Sequence, residues 1–278
     1  MNEIAPKSVA EGAVGFIQSP DMNTELFLPT AQLSHLVKRF MIIESDLGMV
    51  NKILPATSVV MAFRYRGGVS YTGETTETTL PTSAITGLRN TTRLVNYASE
   101  TANLLVIFQE GAAATLLRDP IHELFGLNVS LDSLFPQQII RDVEEQLAEA
   151  NTNQQRVSII ENFLIRRMNG VATDPLVSNA IRTIQQTNGS IRIKELLADL
   201  PISRDPFEKR FRRRVGTSPK QFSEIVRFRH IISQYAPGIS LTETAHAAGY
   251  FDQAHFINDF KSFAGQAPQQ FFKAGRYW

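Results

Sequence analysis

Sliding the chain against itself by 49 residues brings Phe207, Phe211, Gly216, Pro219 and Phe222 onto Phe256, Phe260, Gly265, Pro268 and Phe271. Arg227 falls on Arg276, Ser203 on Asp252 and Arg212 on Lys261 in the same register. Two aromatics four residues apart, then a glycine, then a proline describe a helix with one buried face, a stop, and the first turn of a second helix. The fold must therefore accommodate two copies of one helical unit. A solenoid needs about three or more stacked repeats to bury a continuous face, so two copies argue for a paired module.

Start and stop signals divide the region from Asp174 onward into short helices, and it reads as all-α. Asp174 followed by Pro175 is an N-cap with a first-turn proline, and the stripe Leu176, Ala180, Ile181, Ile184 stops at Asn188-Gly189. A second helix covers Ile193 to Ala198. After the turn Leu200-Pro201-Ile202, Ser203 is placed to cap a third that runs to about Arg214 and ends at Gly216. In the second copy Ser240-Leu241-Thr242-Glu243 is a capping box opening a helix to about Ala248. Gly249-Tyr250-Phe251 turns, and Asp252 caps a helix to about Phe263. Short helix, tight turn and capped second helix is the helix-turn-helix arrangement, so the spacing predicts two units, at about 192–214 and 240–263. Pro219 to Tyr235 reads as one connecting helix about 25 Å long. Such a rod suits two recognition helices about one DNA turn, roughly 34 Å, apart.

The run Gly249-Tyr250-Phe251-Asp252-Gln253-Ala254-His255-Phe256-Ile257-Asn258-Asp259-Phe260-Lys261, with Gly265 and Pro268 after it, closely resembles the C-terminal hallmark of the AraC/XylS family of bacterial transcription factors. Ser203, Phe207, Phe211, Gly216, Ser218 and Pro219 are similar to that family's other helix-turn-helix. The resemblance covers about residues 172–278. It departs at Lys209, where arginine is usual, and at Pro206, which a first helical turn tolerates because that N–H has no intrahelical partner.

With Phe207 and Phe211 inward, Arg204, Asp205, Glu208, Lys209 and Arg212 lie on or near the outer face. The family pattern implies base contacts at Asp205, Glu208 and Lys209. Lysine donates to guanine O6 and N7, and glutamate accepts from cytosine N4. Asp205 equally suits a role at the helix dipole, and Glu208 a surface pair with Arg212. Arg204 joins the base-reading candidates, and Gln253, Ala254 and Asn258 are those of the second helix, pairing with adenine or meeting a thymine methyl. The phosphate-side candidates are Ser203, Arg212, Arg213, Lys220, Arg227, Arg229, Asp252, Lys261 and Lys273, within or beside the basic run Arg210, Arg212, Arg213, Arg214. His255 reads as a packing or phosphate-side residue.

Charge supports the division. Up to residue 171 the chain carries 13 Lys and Arg against 18 Asp and Glu, and beyond it 15 against 9. The excess of cations sits in the helical part, which suits a polyanionic partner. A linker is expected at Asn169 to Pro175, dividing domains 1–170 and 171–278.

Ahead of it, β-branched and aromatic runs punctuated by glycine and proline predict strands at Ser58–Tyr65, Gly68–Thr72, Glu77–Leu80, Ala84–Leu88, Thr92–Ala98 and Asn103–Phe108. These form a small antiparallel barrel or sandwich. Helical spacing returns at Ala112–Leu117, and helices at about Pro136–Glu149 and Thr152–Met168 form an antiparallel hairpin, either a dimer seam or ordinary core. This region resembles the cupin-like sensory domains found ahead of such DNA-binding halves, which implies an antiparallel β-barrel, a small-molecule effector and a homodimer. Arg64, Tyr65, Arg66, Tyr71, Arg89 and Arg93 are the candidates to line a pocket for an anionic ligand, or else they alternate outward on the strands.

The fold class expected is α+β multidomain, a cupin-like barrel with a helical hairpin followed by a tandem helix-turn-helix. The function expected is a sequence-specific regulator of promoter DNA, with RNA polymerase as a further partner. The alternatives are an architectural DNA-binding protein without effector and a cupin-type enzyme fused to a DNA-binding domain. Zero Cys excludes disulfides, thiolate catalysis and Cys-ligated metal. His35 and His122 lack ligand spacing, and no phosphate loop or convincing triad stands out, so neither metal, cofactor nor enzymatic activity is expected. The first 20 residues lack a signal-peptide apolar run and no stretch reaches the length of a membrane span, so a cytoplasmic location is expected, with no membrane partner.

Overall fold

The computed structural model describes residues 22–72, 77–117, 119–168, 173–198, 200–235, 240–250 and 252–273. Residues 169–172 of the expected linker, Gly73, Phe251 and Arg276 lie outside them.

Among the described residues, ten strands make two antiparallel sheets. They are β1 (Met22–Phe27), β2 (Val37–Ser45), β3 (Met49–Ile53), β4 (Val60–Arg66), β5 (Val69–Thr72), β6 (Glu77–Thr79), β7 (Ser83–Thr86), β8 (Arg93–Tyr97), β9 (Thr101–Phe108) and β10 (Asn128–Ser130). The six-stranded sheet runs β1-β2-β9-β4-β7-β10 and the four-stranded one β3-β8-β5-β6. No strand pairing joins the two among the described residues, so the closed barrel expected is corrected to two sheets.

The side-chain alternation of a strand explains why β2 and β9 are apolar nearly throughout. Phe40, Ile42, Leu104 and Val106 face the helices, while Met41, Ile43, Leu105 and Ile107 face the other sheet. The larger sheet is thus buried on both faces, and every residue of β9 is buried.

The hairpin is α1 (Gln137–Glu149) and α2 (Asn153–Arg167). Its apolar stripes, Ile140, Val143 and Leu147 with Val157, Ile160 and Leu164, join the core on the first face of the sheet. The ring of Phe163 meets Phe63 of β4 edge-on at 5.9 Å. Ordinary core packing therefore accounts for this stripe. Residues Ala112–Thr115 form a short 3-10 helix, and Ile121–Leu124 another.

The C-terminal part is α3 (Pro175–Gln186), α4 (Ile193–Ala198), α5 (Arg204–Val215), α6 (Pro219–Gln234), α7 (Leu241–Ala247), α8 (Gln253–Ala264) and α9 (Pro268–Lys273). Asp174 accepts from the N–H groups of Leu176 and Val177, and Ser240 with Glu243 closes its capping box. Ser203 holds the N-cap position of α5, but its hydroxyl makes no capping bond, so that expected cap is backbone only.

The 49-residue repeat is also a repeat of geometry. Gly216 and Gly265 end α5 and α8 in the left-handed conformation, at φ 98° and 74°. Phe207 lies 5.8 Å from Phe211, and Phe256 lies 5.9 Å from Phe260. Phe211 meets Phe222, and Phe260 meets Phe271, edge-on at 5.7 Å and 5.2 Å.

The two units differ in what they pack on. The first shares one continuous core with the β-domain, through Phe207, Phe211, Val215 and Phe222. The second has a separate core to which the β-domain contributes Leu54. A strap after β7 completes its seat, since the Thr92 N–H and hydroxyl both donate to the Phe263 carbonyl at 3.0 Å and 2.7 Å.

Candidate nucleic-acid interface

Each recognition helix buries two phenylalanines one turn apart, which turns the opposite face outward. On α5 that leaves Arg204, Asp205, Lys209, Arg212 and Arg213 exposed, with Ser203 just before them. On α8, Gln253, Ala254 and Asn258 are exposed, with Lys261 one turn further on and Lys273 on α9. Each of the two helices thus carries its base-reading candidates on one accessible face.

Several charges have other employment. Glu208 is paired with Arg204, Oε1 to Nε at 2.8 Å, and this interaction raises the arginine's pKa further. Its surface partner is thus the residue four before it, in place of Arg212. Arg210 is ion-paired to the buried carboxylate of Asp174, which ties α5 to the start of α3 and removes Arg210 from the free cations of the run. Arg214 is half-buried and lines a crevice between the domains together with Glu110 and Asp174. Lys220 reaches Glu224 at 3.7 Å. The Asp252 carboxylate accepts from the His255 N–H at 2.7 Å and so caps α8.

Two phosphate-side candidates on α6 are half-buried. The Arg227 guanidinium lies over the Tyr250 ring at 5.2 Å, and its Nε is buried without a hydrogen bond. Burial pushes the Arg229 guanidinium down to about 10, which describes a group turned into the protein. Two residues apart on a helix, they leave α6 on opposite sides, and each is half-buried. His255 is exposed, sits at the edge of Tyr250 with 5.2 Å between centroids, and lies 3.6 Å from Asp259.

In the β-domain a cavity of about 90 Å³ opens between the two sheets. Of the six effector candidates, Arg64, Tyr71 and Arg89 line it. The other three do not. Tyr65 donates to Glu44 at 3.2 Å under the Arg156 guanidinium, and burial pushes its phenol up to about 12. Arg66 is held by the Glu100 carbonyl, and Arg93 stacks on Tyr71 at 4.8 Å from behind. Tyr97, Asn103 and Asn128 line the cavity too. Sequence reasoning missed them because a polar residue within a strand names no face until the register is known.

Two family models match the chain. Residues 196–274 match a helix-turn-helix domain, and residues 25–130 match a domain of unknown function, DUF6597. The chain carries an AraC/XylS-type DNA-binding domain. Over 140 residues the chain is 26% identical to the Msm operon regulatory protein of Streptococcus mutans, a stretch covering 48% of this chain and 50% of that one. The chain thus spans about half the length of the curated relative it matches. Among solved structures, ToxT of Vibrio cholerae overlays with a TM-score of 0.45 at 13% identity, over 91% of this chain and 98% of that one. A cupin protein of Desulfovibrio desulfuricans overlays with a TM-score of 0.25 at 11% identity, over 38% of this chain and 97% of that one. These overlays are too loose to carry any residue's role across. The AraC-type domain begins within α4 and includes both repeat copies. Among the described residues no group of three His, Cys, Asp or Glu is placed to hold a metal ion, and no helix is long and apolar enough to cross a membrane.

Proposed function

We propose that the chain is a sequence-specific transcription regulator in which the AraC-type domain reads promoter DNA and the β-domain senses a small molecule. The observation that carries this reading is the pair of equivalent helices, α5 and α8, each with its polar face exposed and its aromatic face buried. Base readout belongs to Arg204, Asp205, Glu208, Lys209, Gln253, Ala254 and Asn258, and phosphate contact to Ser203, Arg212, Arg213, Lys220, Lys261 and Lys273. The units divide at about residue 170, the protein acts in the cytoplasm as a homodimer, and it meets RNA polymerase at the promoter. It regulates and does not catalyse.

The test separates readers from neutralisers. Lys209→Ala costs about 1–3 kcal/mol on the preferred site and relaxes choice at one base pair. Arg213→Ala weakens all sequences alike and lowers the salt slope by about one. Titration of both variants against a site series and scrambled DNA at several salt concentrations checks this. Equal losses on every sequence for Lys209→Ala remove it from the readers, and no preference by the intact protein for any fragment overturns the regulator reading in favour of an architectural coat.

A further inference from the structure

The cavity between the sheets holds a polar group with nothing to serve. Arg89 contacts Tyr71, yet two of its guanidinium nitrogens, Nε and Nη1, are buried without a hydrogen-bond partner. Burial lowers its pKa, the mark of a cation stripped of water. Arg64 stands on the same wall, donating to the Leu80 carbonyl at 3.2 Å. A buried cation with unmet donors is costly until an anion meets it. Beside the Gly87–Arg89 segment, where Asn128 pairs with Thr86, the Asn128 Oδ1 is likewise buried and unmet, while its Nδ2 donates to Thr86 at 2.8 Å. Such an acceptor calls for a ligand O–H. Val60, Val69, Val95 and Leu105 are part of its apolar lining. At about 90 Å³ the space is smaller than the roughly 150 Å³ cavity that accepts benzene.

The walls of this cavity continue into the seat of the second helix-turn-helix unit. Ile53 lines the cavity and the next residue, Leu54, belongs to that unit's core. Lys52 lies over the Phe271 ring at 5.3 Å. On the other side Gly87, Leu88 and Arg89 line the cavity, and three residues later Thr92 grips the Phe263 carbonyl at the end of α8. The strap has little slack, since a Cβ on Gly87 would stand 2.1 Å from the Leu124 carbonyl oxygen and the Leu88 carbonyl is held by Gly126 N–H at 2.7 Å.

We propose that this cavity binds a compact hydroxycarboxylate, its carboxylate on Arg89 and its hydroxyl on Asn128, and that the segment from Gly87 to Thr92 transmits occupancy to the second unit. The proposal rests on the sensing role given to the β-domain above and names its ligand class and its readout. A ligand that pulls on Arg89 shifts the segment whose far end holds α8. Because the first unit shares the main core, the second is the one with freedom to respond.

The experiment uses the full chain and a panel of glycolate, lactate and 3-hydroxypropionate, none larger than benzene in heavy atoms, with the amide and the deoxy acid of each. Thermal unfolding and titration calorimetry read binding. At least one hydroxy acid raises the transition, its amide binds about ten- to a hundredfold more weakly, and its deoxy acid falls between them. Arg89→Gln weakens the acid to the level of the amide. The comparison of acid with amide on the unaltered protein keeps the test independent of that variant's folding. Hydrogen exchange then shows the acid changing protection in residues 253–273 more than in 204–215, and Thr92→Val leaves binding intact while reducing that change. No response to any of the three acids, or equal binding of acid and amide, overturns the ligand class. A response confined to the β-domain overturns the coupling. DNA discrimination measured on the same preparation stands apart: a protein that selects its site and ignores every acid loses this proposal and keeps the regulator reading.

Discussion

Phe260→Ala lowers the stability of the second helix-turn-helix unit by about 3–5 kcal/mol. The ring is 1% exposed and sits where Phe228, Phe256, Phe271 and Phe272 converge, at centroid distances of 5.3, 5.9, 5.2 and 5.4 Å. Nothing nearby can collapse into the space without disturbing four other rings. Because this core is separate from the one shared by the first unit and the β-domain, the loss is expected to be local. Hydrogen exchange resolves it: amides of α7 to α9 exchange through low-energy opening in the variant, while those of α5 and β9 keep their protection. Phe211→Ala, at the equivalent place in the first unit, instead loosens α5 and the β-domain together. Uniform loss of protection across the chain in the Phe260→Ala protein would contradict the two-core arrangement.

Gly216→Ala and Gly265→Ala, the same substitution at equivalent positions, have unequal costs. Both glycines are left-handed, so alanine costs about 1–2 kcal/mol at either. A Cβ at Gly265 meets nothing within 4 Å, whereas at Gly216 it stands 2.8 Å from Ile121 Cγ2 and 3.3 Å from the Ile121 carbonyl oxygen. Overpacking of that kind adds about 1–3 kcal/mol. Gly216→Ala is therefore expected to cost about 2–5 kcal/mol in all, and Gly265→Ala only its conformational share. Urea unfolding of the two variants measures the difference, which reports directly on the seating of the first unit against the turn at Ile121–Leu124. Identical midpoints would mean that the domains are not packed as described.

Much of the AraC-type domain was legible because its signals are short-range. Asp174, Ser240 and Glu243 act on backbone groups two or three residues away, and Phe207 and Phe256 on rings four residues on. These distances are set by helix geometry and need no knowledge of the rest of the fold. The strands were harder. Six were read between residues 58 and 108, but β1, β2, β3 and β10 were not. Met41, Ile42 and Ile43 of β2 lie within a continuous apolar run, which has no periodicity to declare it a strand until both faces of the sheet are covered. The register of β2 against β9, with Phe40 opposite Val106, joins segments more than 60 residues apart.

The sequence by itself determined the duplicated helical unit, its caps, its stops, its buried phenylalanines and the outward faces of α5 and α8, since each follows from contacts within a turn or two of helix. Only the tertiary structure decided which charges are free. Arg210 is held by Asp174, 36 residues away, Arg227 is laid on Tyr250, and Arg89 is left with unmet donors inside a cavity whose walls come from both sheets. A side chain's periodicity tells which way it leaves its own element, but its solvation and its partner depend on what the rest of the chain places opposite it.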